Sequence, residues 1–463
     1  MLMWLNDYRQ RWRELLRGRF ASADAHASRQ RLRHVLHLLT GNAATMVIGL
    51  ASVALVARAL GPVQYGMLAL TFSYAQAIER LVSFQSWQPM IRYGAELTAP
   101  EQRDDLKSLL KFGLMLDLAG AVAGWVIAIV LAVAAHFLFH WSAESLRLVV
   151  VYATVLLFTL TGMPTAVLRL TGKFRAVAYG QVFSALMRLV ACALAFISGA
   201  GLMEFALVWM GTQILSSLTT LAVAFYILHL DGIRGLLRAP LRGVAERFPG
   251  LWRFTWSANL SLTIWSSTQQ FDTLIVGALA GPAEAGLYHI AKRVGRLAQQ
   301  TGGQVQAVVY PEVARLWASG AVRQFRRVVS EVEILLVCAG IAAVIAMIFI
   351  AEPAIRLAIG PQFAAAAPLL IAQTFAMALM VSGSVTRSAL LAMGEQQKLL
   401  QLVIVSTCLF HATAFLLVPR IGAMGANMAH IAMGTVWLAG LLFVFRRALR
   451  LLPDAGSPAS GRL

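Results

Sequence analysis

Four cations stand out because the stretches that hold them are otherwise apolar: Arg80, and the close trio Lys292, Arg293 and Arg296. Arginine presents a planar fork of donors that matches phosphate oxygens, so such cations converging on a watery cavity would bind an anion, and phosphate best of all. Their neighbours support a cavity. Ser73, Gln76, Glu79, Ser83 and Trp87 recur around Arg80 at helical three-to-four spacing, and Gln299, Gln300 and Gln304 continue the stripe beyond Arg296. Two further stretches are striped without cations: Gly41, Asn42, Thr45, Gly49 and Ser52 in one, and Asn259, Thr263, Ser266, Gln270 and Thr273 in the other. Polar groups are costly in hydrocarbon, so stripes of this kind face water or each other. Glu79 and Asp272 stand against the four cations, which leaves the lining net positive.

The candidate anion ligands are therefore Arg80, Lys292, Arg293 and Arg296, with Gln76, Gln300, Asn42 and Gln270 as neutral lining. Glu79 and Asp272 are the candidates for carrying a coupling proton or sodium ion. Structural readings stand beside these. Arg80 and Glu79 could neutralise each other, or Asp272, as a buried pair. Lys292 and Arg293 lie about 10 Å from the outer end of their helix at about 1.5 Å per residue, near enough to snorkel outward. Arg58 and Arg387, close to span ends, read as snorkelling, and whether Arg188 pairs with Asp117 is left open. His289, His411 and His430 are scattered and read as packing residues, with no metal-site spacing among them. No catalytic group and no cofactor is expected.

Membrane spans must position these residues. Apolar residues make up 59% of the 463 and charged ones 13%, in stretches close to the roughly 20 residues that an apolar helix needs to cross a bilayer. Spans are expected near 35–58, 66–88, 109–138, 146–168, 178–198, 203–228, 254–278, 285–309, 331–351, 364–391, 399–418 and 425–445. The fold class is an all-α polytopic membrane protein of about 12 transmembrane helices. Lys and Arg gather at the start of the chain and in every second connection, whereas LGPVQYG, SGAGLME and AGPAEAG between them carry none. That alternation places both termini in the cytoplasm. The net charge of +18 is spread over these loops beside an anionic leaflet, and no soluble stretch is long enough for a nucleic-acid module. No phosphate-binding loop of an ATP-driven engine is present. Cys192, Cys338 and Cys408 fall inside predicted helices and read as packing residues.

Punctuation recurs at a nearly constant offset. Pro62 in LGPVQYG is answered by Pro282 in AGPAEAG, 220 residues on, and Pro89, Gly172 and Gly211 by Pro311, Gly394 and Gly434 at offsets of 222, 222 and 223. Four ordered markers argue duplication into two pseudo-symmetric six-helix lobes around a central cavity, a plan typical of transporters. The chain divides into a basic amphipathic segment over 1–34, an N-lobe over 35–228, a basic linker over 229–253, a C-lobe over 254–445 and a tail over 446–463.

With its two halves, ARALGPVQYG after the first span and QQFDTLIVGALAGPAEAGLYHIAKR across the seventh and eighth, the chain resembles a lipid-linked oligosaccharide flippase of the polysaccharide transporter family. That family falls within the multidrug/oligosaccharidyl-lipid/polysaccharide (MOP) exporter superfamily. The resemblance implies movement of polyprenyl-diphosphate-linked oligosaccharide across the bacterial inner membrane by alternating access, for O-antigen or exopolysaccharide synthesis. It implies that Arg80, Lys292, Arg293 and Arg296 hold the diphosphate, although the first span here lacks the midspan cation some relatives carry. Membrane lipids, a polysaccharide polymerase and glycosyltransferases are the implied partners, and nucleic acid is not. The alternatives are a multidrug antiporter of the same superfamily, which would want an acidic cavity, and a membrane-embedded glycan polymerase or ligase, which would want a large outer loop.

Overall fold

The structure is a computed structural model that describes residues 24–82, 86–97, 99–139 and 142–450. The N-terminal half builds α1 (Asp24–Val82), α2 (Trp87–Gly94), α3 (Arg103–Phe139), α4 (Ala143–Ala153), α5 (Gly162–Leu170), α6 (Phe174–Ile197) and α7 (Leu202–Leu230). A short α8 (Val244–Arg247) lies in the linker. The C-terminal half builds α9 (Leu251–Ala280), α10 (Pro282–Ala318), α11 (Val322–Ala358), α12 (Ala366–Ser382), α13 (Ser384–Ala392), α14 (Gln396–Ile421) and α15 (Ala423–Arg450). Among the described residues nine helical stretches are long and apolar enough to cross a membrane, and no strand is present. The expected amphipathic segment lies outside the described residues up to position 23, as does the tail from 451.

Duplication is visible in the backbone. α1 holds the first two expected spans as two limbs joined at Gly61, whose φ of 70° and ψ of 174° interrupt the helix. Gly281 separates α9 from α10 with φ 91° and ψ 172°, the same conformation 220 residues later. Side chains with a Cβ rarely adopt positive φ, which is why glycine stands at both joints. The fourth and tenth spans, expected to be continuous, are each broken. A 3-10 turn over Thr154–Phe158 separates α4 from α5, and Gly383 separates α12 from α13. Apolar residues continue through both breaks, so hydropathy alone does not register them.

Each break is held by a carboxylate from the preceding span. Asp117 on α3 accepts from the Met163 backbone N–H at 2.8 Å and from the Ser86 hydroxyl, tying down the start of α5. Glu333 on α11 accepts from the Thr386 hydroxyl at the start of α13. A carboxylate at a helix N-terminus meets unpaired N–H groups and the positive end of the helix dipole. Arg188 does not pair with Asp117; its Nε donates to Thr212 Oγ1 at 3.2 Å.

The lobes meet at the Gly61 and Gly281 end. A Cβ on Gly66 would stand 1.8 Å from the Pro282 carbonyl oxygen, and one on Gly286 would stand 2.6 Å from that of Pro62. Equivalent residues of the two repeats thus contact each other, so the pseudo-twofold axis passes through this crossing. Arg58, expected to snorkel, donates instead across the junction to the carbonyls of Leu357 at 2.6 Å and Ile359 at 3.3 Å, at the C-terminal end of α11. One apolar core, including Val56, Tyr65, Val276, Tyr288 and Phe363, runs through both halves at this end. Toward the other end the described cores are separate, one around Met90, Leu109 and Phe248 and one around Phe325, Leu390 and Phe445. The linker belongs to the first of these: Leu236, Val244 and Phe248 are buried, Arg247 pairs with Asp105 at 2.6 Å, and Lys111 donates to the Ala239 carbonyl.

Candidate functional site

α9 and α10 form an antiparallel hairpin about Gly281, so residues roughly equidistant from it face one another. Asp272 and Lys292 do so, with Nζ 2.5 Å from Oδ1. Lys292 also donates to the Gln269 carbonyl at 2.6 Å and lies 3.2 Å from the Thr273 hydroxyl. The second carboxylate oxygen of Asp272 accepts from the Tyr288 hydroxyl at 2.9 Å and lies 3.2 Å from His430 Nε2 of α15. Asp272 is 1% exposed and Lys292 3%. A buried pair is stable only when its remaining lone pairs and protons also find partners, and here they do. Lys292, expected among the anion ligands, is committed to this cluster and does not snorkel, although the charge of Arg296 acts on it.

One turn along α10 the situation reverses. Arg293 and Arg296 have no carboxylate partner or hydrogen bond among the described residues, and the Nε of Arg296 is buried without a hydrogen bond. Arg293 reaches toward the first limb of α1, where Gly49 makes room: a Cβ there would stand 3.0 Å from the guanidinium. Arg188 of α6 lies close enough for its charge to act on Arg293, and Arg80 close enough to act on Arg296. Four guanidiniums from both lobes are therefore in electrostatic reach of one another in pairs, without an ion pair of their own among the described residues. Asp272, paired with Lys292, also acts on Arg296. Tyr65 Oη, 2.7 Å from His289 Nδ1, lies beside Arg293 and Arg296 and bounds the region toward the closed end.

Among the remaining candidates, Gln76, Glu79 and Gln270 are half-buried and Arg80 is exposed. Neither Glu79 nor Asp272 makes an ion pair with Arg80. The side chains of Asn42 and Gln300 lie outside the described ones. Two participants were missed by the sequence reading. Arg188 sits mid-span, a signal available in the sequence although its partner was left open there, and His430 gave no signal because only folding brings α15 against α9. His289 and His411 bond to Tyr65 and to the Thr407 carbonyl. Of the cysteines only Cys192 is buried, and no metal-binding group exists among the described residues.

Helical lobes related by duplication, joined at one end and bearing a cationic region between them, define a membrane transporter fold. Solved structures of that fold agree. The chain superposes on the inward-facing conformation of a multidrug resistance MATE family transporter of the MOP superfamily with a TM-score of 0.69, at 17% identity, covering 88% of this chain and 95% of that one. It matches the lipid II flippase MurJ in an inward closed conformation with a TM-score of 0.67, at 15% identity, covering 88% and 87%. It is also 25% identical over 342 residues to the inner membrane protein YghQ of Escherichia coli (strain K12), spanning 73% of this chain and 94% of that protein. Residues 32–317 match the family of polysaccharide biosynthesis proteins, and the chain belongs to that family.

Proposed function

We propose that this protein flips polyprenyl-diphosphate-linked oligosaccharide from the cytoplasmic to the periplasmic face of a bacterial inner membrane. The observation that carries this reading is a set of cations that outnumbers the carboxylates near it: Arg293 and Arg296 make no ion pair among the described residues, with Arg188 and Arg80 in electrostatic reach. Asp272, the carboxylate nearest in effect to Arg296, is already paired with Lys292. Unpaired guanidiniums in a largely desolvated region favour a polyanion, and a diphosphate offers the oxygens for several forks at once. Membership of a polysaccharide biosynthesis family and the likeness to a lipid II flippase support a lipid-linked glycan as its carrier. A cationic multidrug substrate would be repelled by the same charges.

In this mechanism the diphosphate sits between α10 and the N-lobe, the glycan occupies the aqueous space and the polyprenyl tail stays in lipid. The junction at Gly66 and Gly286 is the outer closure, and the lobes rock about it to expose the site outward. With both oxygens engaged and Lys292 as its counter-ion, Asp272 acts as a brace between α9, α10 and α15. A coupling proton or sodium ion is better served by Glu79, which makes no hydrogen bond among the described residues.

Transfer of a lipid-diphosphate oligosaccharide between leaflets of proteoliposomes tests the reading. Arg293→Ala/Arg296→Ala should lower the flipping rate at least about tenfold with normal insertion, since charge-assisted hydrogen bonds contribute about 1.5–3 kcal/mol each. Unchanged flipping would reduce these arginines to structural roles, and no flipping by the wild type would reopen the substrate class.

A further inference from the structure

A second polar cavity, of about 340 Å³, lies within the N-lobe between the second limb of α1, α3 and the break that precedes α5. Glu79, Arg80, Asp117, Thr159, Thr161, Thr165 and Arg169 supply its polar lining. On α3, Gly120 and Gly124 face it without side chains, which leaves the room that larger residues would fill.

Two carboxylates stand against two guanidiniums, so this lining, unlike the region around Arg293, has no preference for an ion of either sign. Its hydrogen-bonding groups are nevertheless directional. The Thr159 and Thr165 hydroxyls donate to the carbonyls of Leu156 at 2.7 Å and Thr161 at 2.6 Å, so toward the cavity each offers only an acceptor. Glu79 is a further acceptor. Arg80 and Arg169 are donors, and the Arg169 guanidinium is held 4.2 Å from the centroid of the Trp87 ring, which sets its plane. Asp117 serves the backbone at the start of α5 and keeps the wall in place. Acceptors and donors together, without net charge, suit a ligand whose every group both donates and accepts, which is the chemistry of a sugar ring.

Position narrows the ligand further. Arg80 lines this cavity while its charge acts on Arg296, so the cavity adjoins the diphosphate region. The group covalently next to the diphosphate is the first sugar. We infer that the N-lobe cavity is the subsite for that first ring, a neutral hexose-class sugar, and that it distinguishes glycosylated from bare lipid diphosphate. This rests on the diphosphate reading given above.

The test is equilibrium binding of two probes, polyprenyl diphosphate and polyprenyl-diphosphate-linked N-acetylglucosamine, to the purified full-length protein in lipid nanodiscs. Wild type should bind the glycosylated probe about tenfold more tightly, the worth of one or two net hydrogen bonds. Thr159→Val/Thr165→Val should bring that ratio to within about twofold of one, and Thr165→Val alone part of the way, while affinity for the bare probe stays within about twofold of wild type in both. The bare probe thereby reports that each variant is folded. A preference that survives in both variants, a wild type without preference, or an equal loss for both probes overturns the inference. Arg293→Ala/Arg296→Ala separates the two readings. If it weakens both probes while the preference ignores the threonines, the diphosphate site stands and the sugar subsite falls; if wild type binds neither probe, both fall.

Discussion

In the C-lobe, Asp272 has both carboxylate oxygens engaged, by Lys292, Tyr288 and His430, and the cluster is closed to solvent. In the N-lobe the positions equivalent to Asp272 and Lys292 are Ser52 and Phe72. The acid and base Glu79 and Arg80, about two turns further from their glycine joint, do not pair and line a cavity instead. The two halves share backbone devices: a positive-φ glycine joint, a glycine in contact with its own counterpart, a broken fourth helix and a carboxylate from the third helix at the break. They do not share the chemistry of their interiors. Backbone devices must remain matched for two lobes to dock about one axis, whereas side chains away from that axis are free to diverge into a brace on one side and a ligand pocket on the other.

The contrast can be broken most directly at the two acidic residues. Asp272→Asn leaves Lys292 buried without its counter-ion, and thermal or denaturant unfolding in detergent should show a loss of roughly 3–5 kcal/mol, most of it recovered in Asp272→Leu/Lys292→Met. Glu79→Gln should change stability by less than about 1 kcal/mol, because it removes no ion pair. Equal effects at the two sites would mean that the N-lobe cavity is also a structural cluster.

A smaller difference is expected at the two helix breaks. A Cβ on Gly162 would stand 1.8 Å from the Ser86 hydroxyl and 2.5 Å from the Asp117 carboxylate, whereas at Gly383 the nearest atom is a Leu441 methyl at 2.6 Å. Gly162→Ala should therefore cost about 1–3 kcal/mol in the same assay, and Gly383→Ala less, since a leucine end can turn away and a helix-capping carboxylate cannot. The reverse order would show that the N-lobe break is the more pliable. Smallest is the latch at the junction. Arg58→Ala removes two hydrogen bonds to the end of α11 and should loosen outer closure by about 0.5–1.5 kcal/mol, read as faster disulfide formation or labelling at cysteine pairs placed across that end. An unchanged rate would leave closure to the glycine crossing alone.

Much of the architecture was legible in advance because membrane insertion and repeat structure both leave one-dimensional traces. The Gly–Pro punctuation at an offset of 220 marked the joints at Gly61 and Gly281, and the polar stripes marked the first, second, seventh and eighth spans as the expected lining of a cavity. The fate of Lys292 was half legible: Asp272 lies nine residues before Gly281 and Lys292 eleven after it, which in an antiparallel hairpin brings them level. The breaks near Thr161 and Gly383 were not, since apolar composition reports burial and is silent about backbone continuity.

The sequence by itself determined that this is a polytopic, duplicated, helical membrane protein with excess positive charge inside it, because hydropathy, charge asymmetry and repeat spacing act along the chain. Only the tertiary structure decided which charges remain available. Lys292 and Arg293 are neighbours in sequence, yet the turn of the helix directs one toward Asp272 and the other toward Gly49 of the first span. Partnering of buried charges depends on which helices lie side by side, and packing sets that through contacts between residues far apart in the chain.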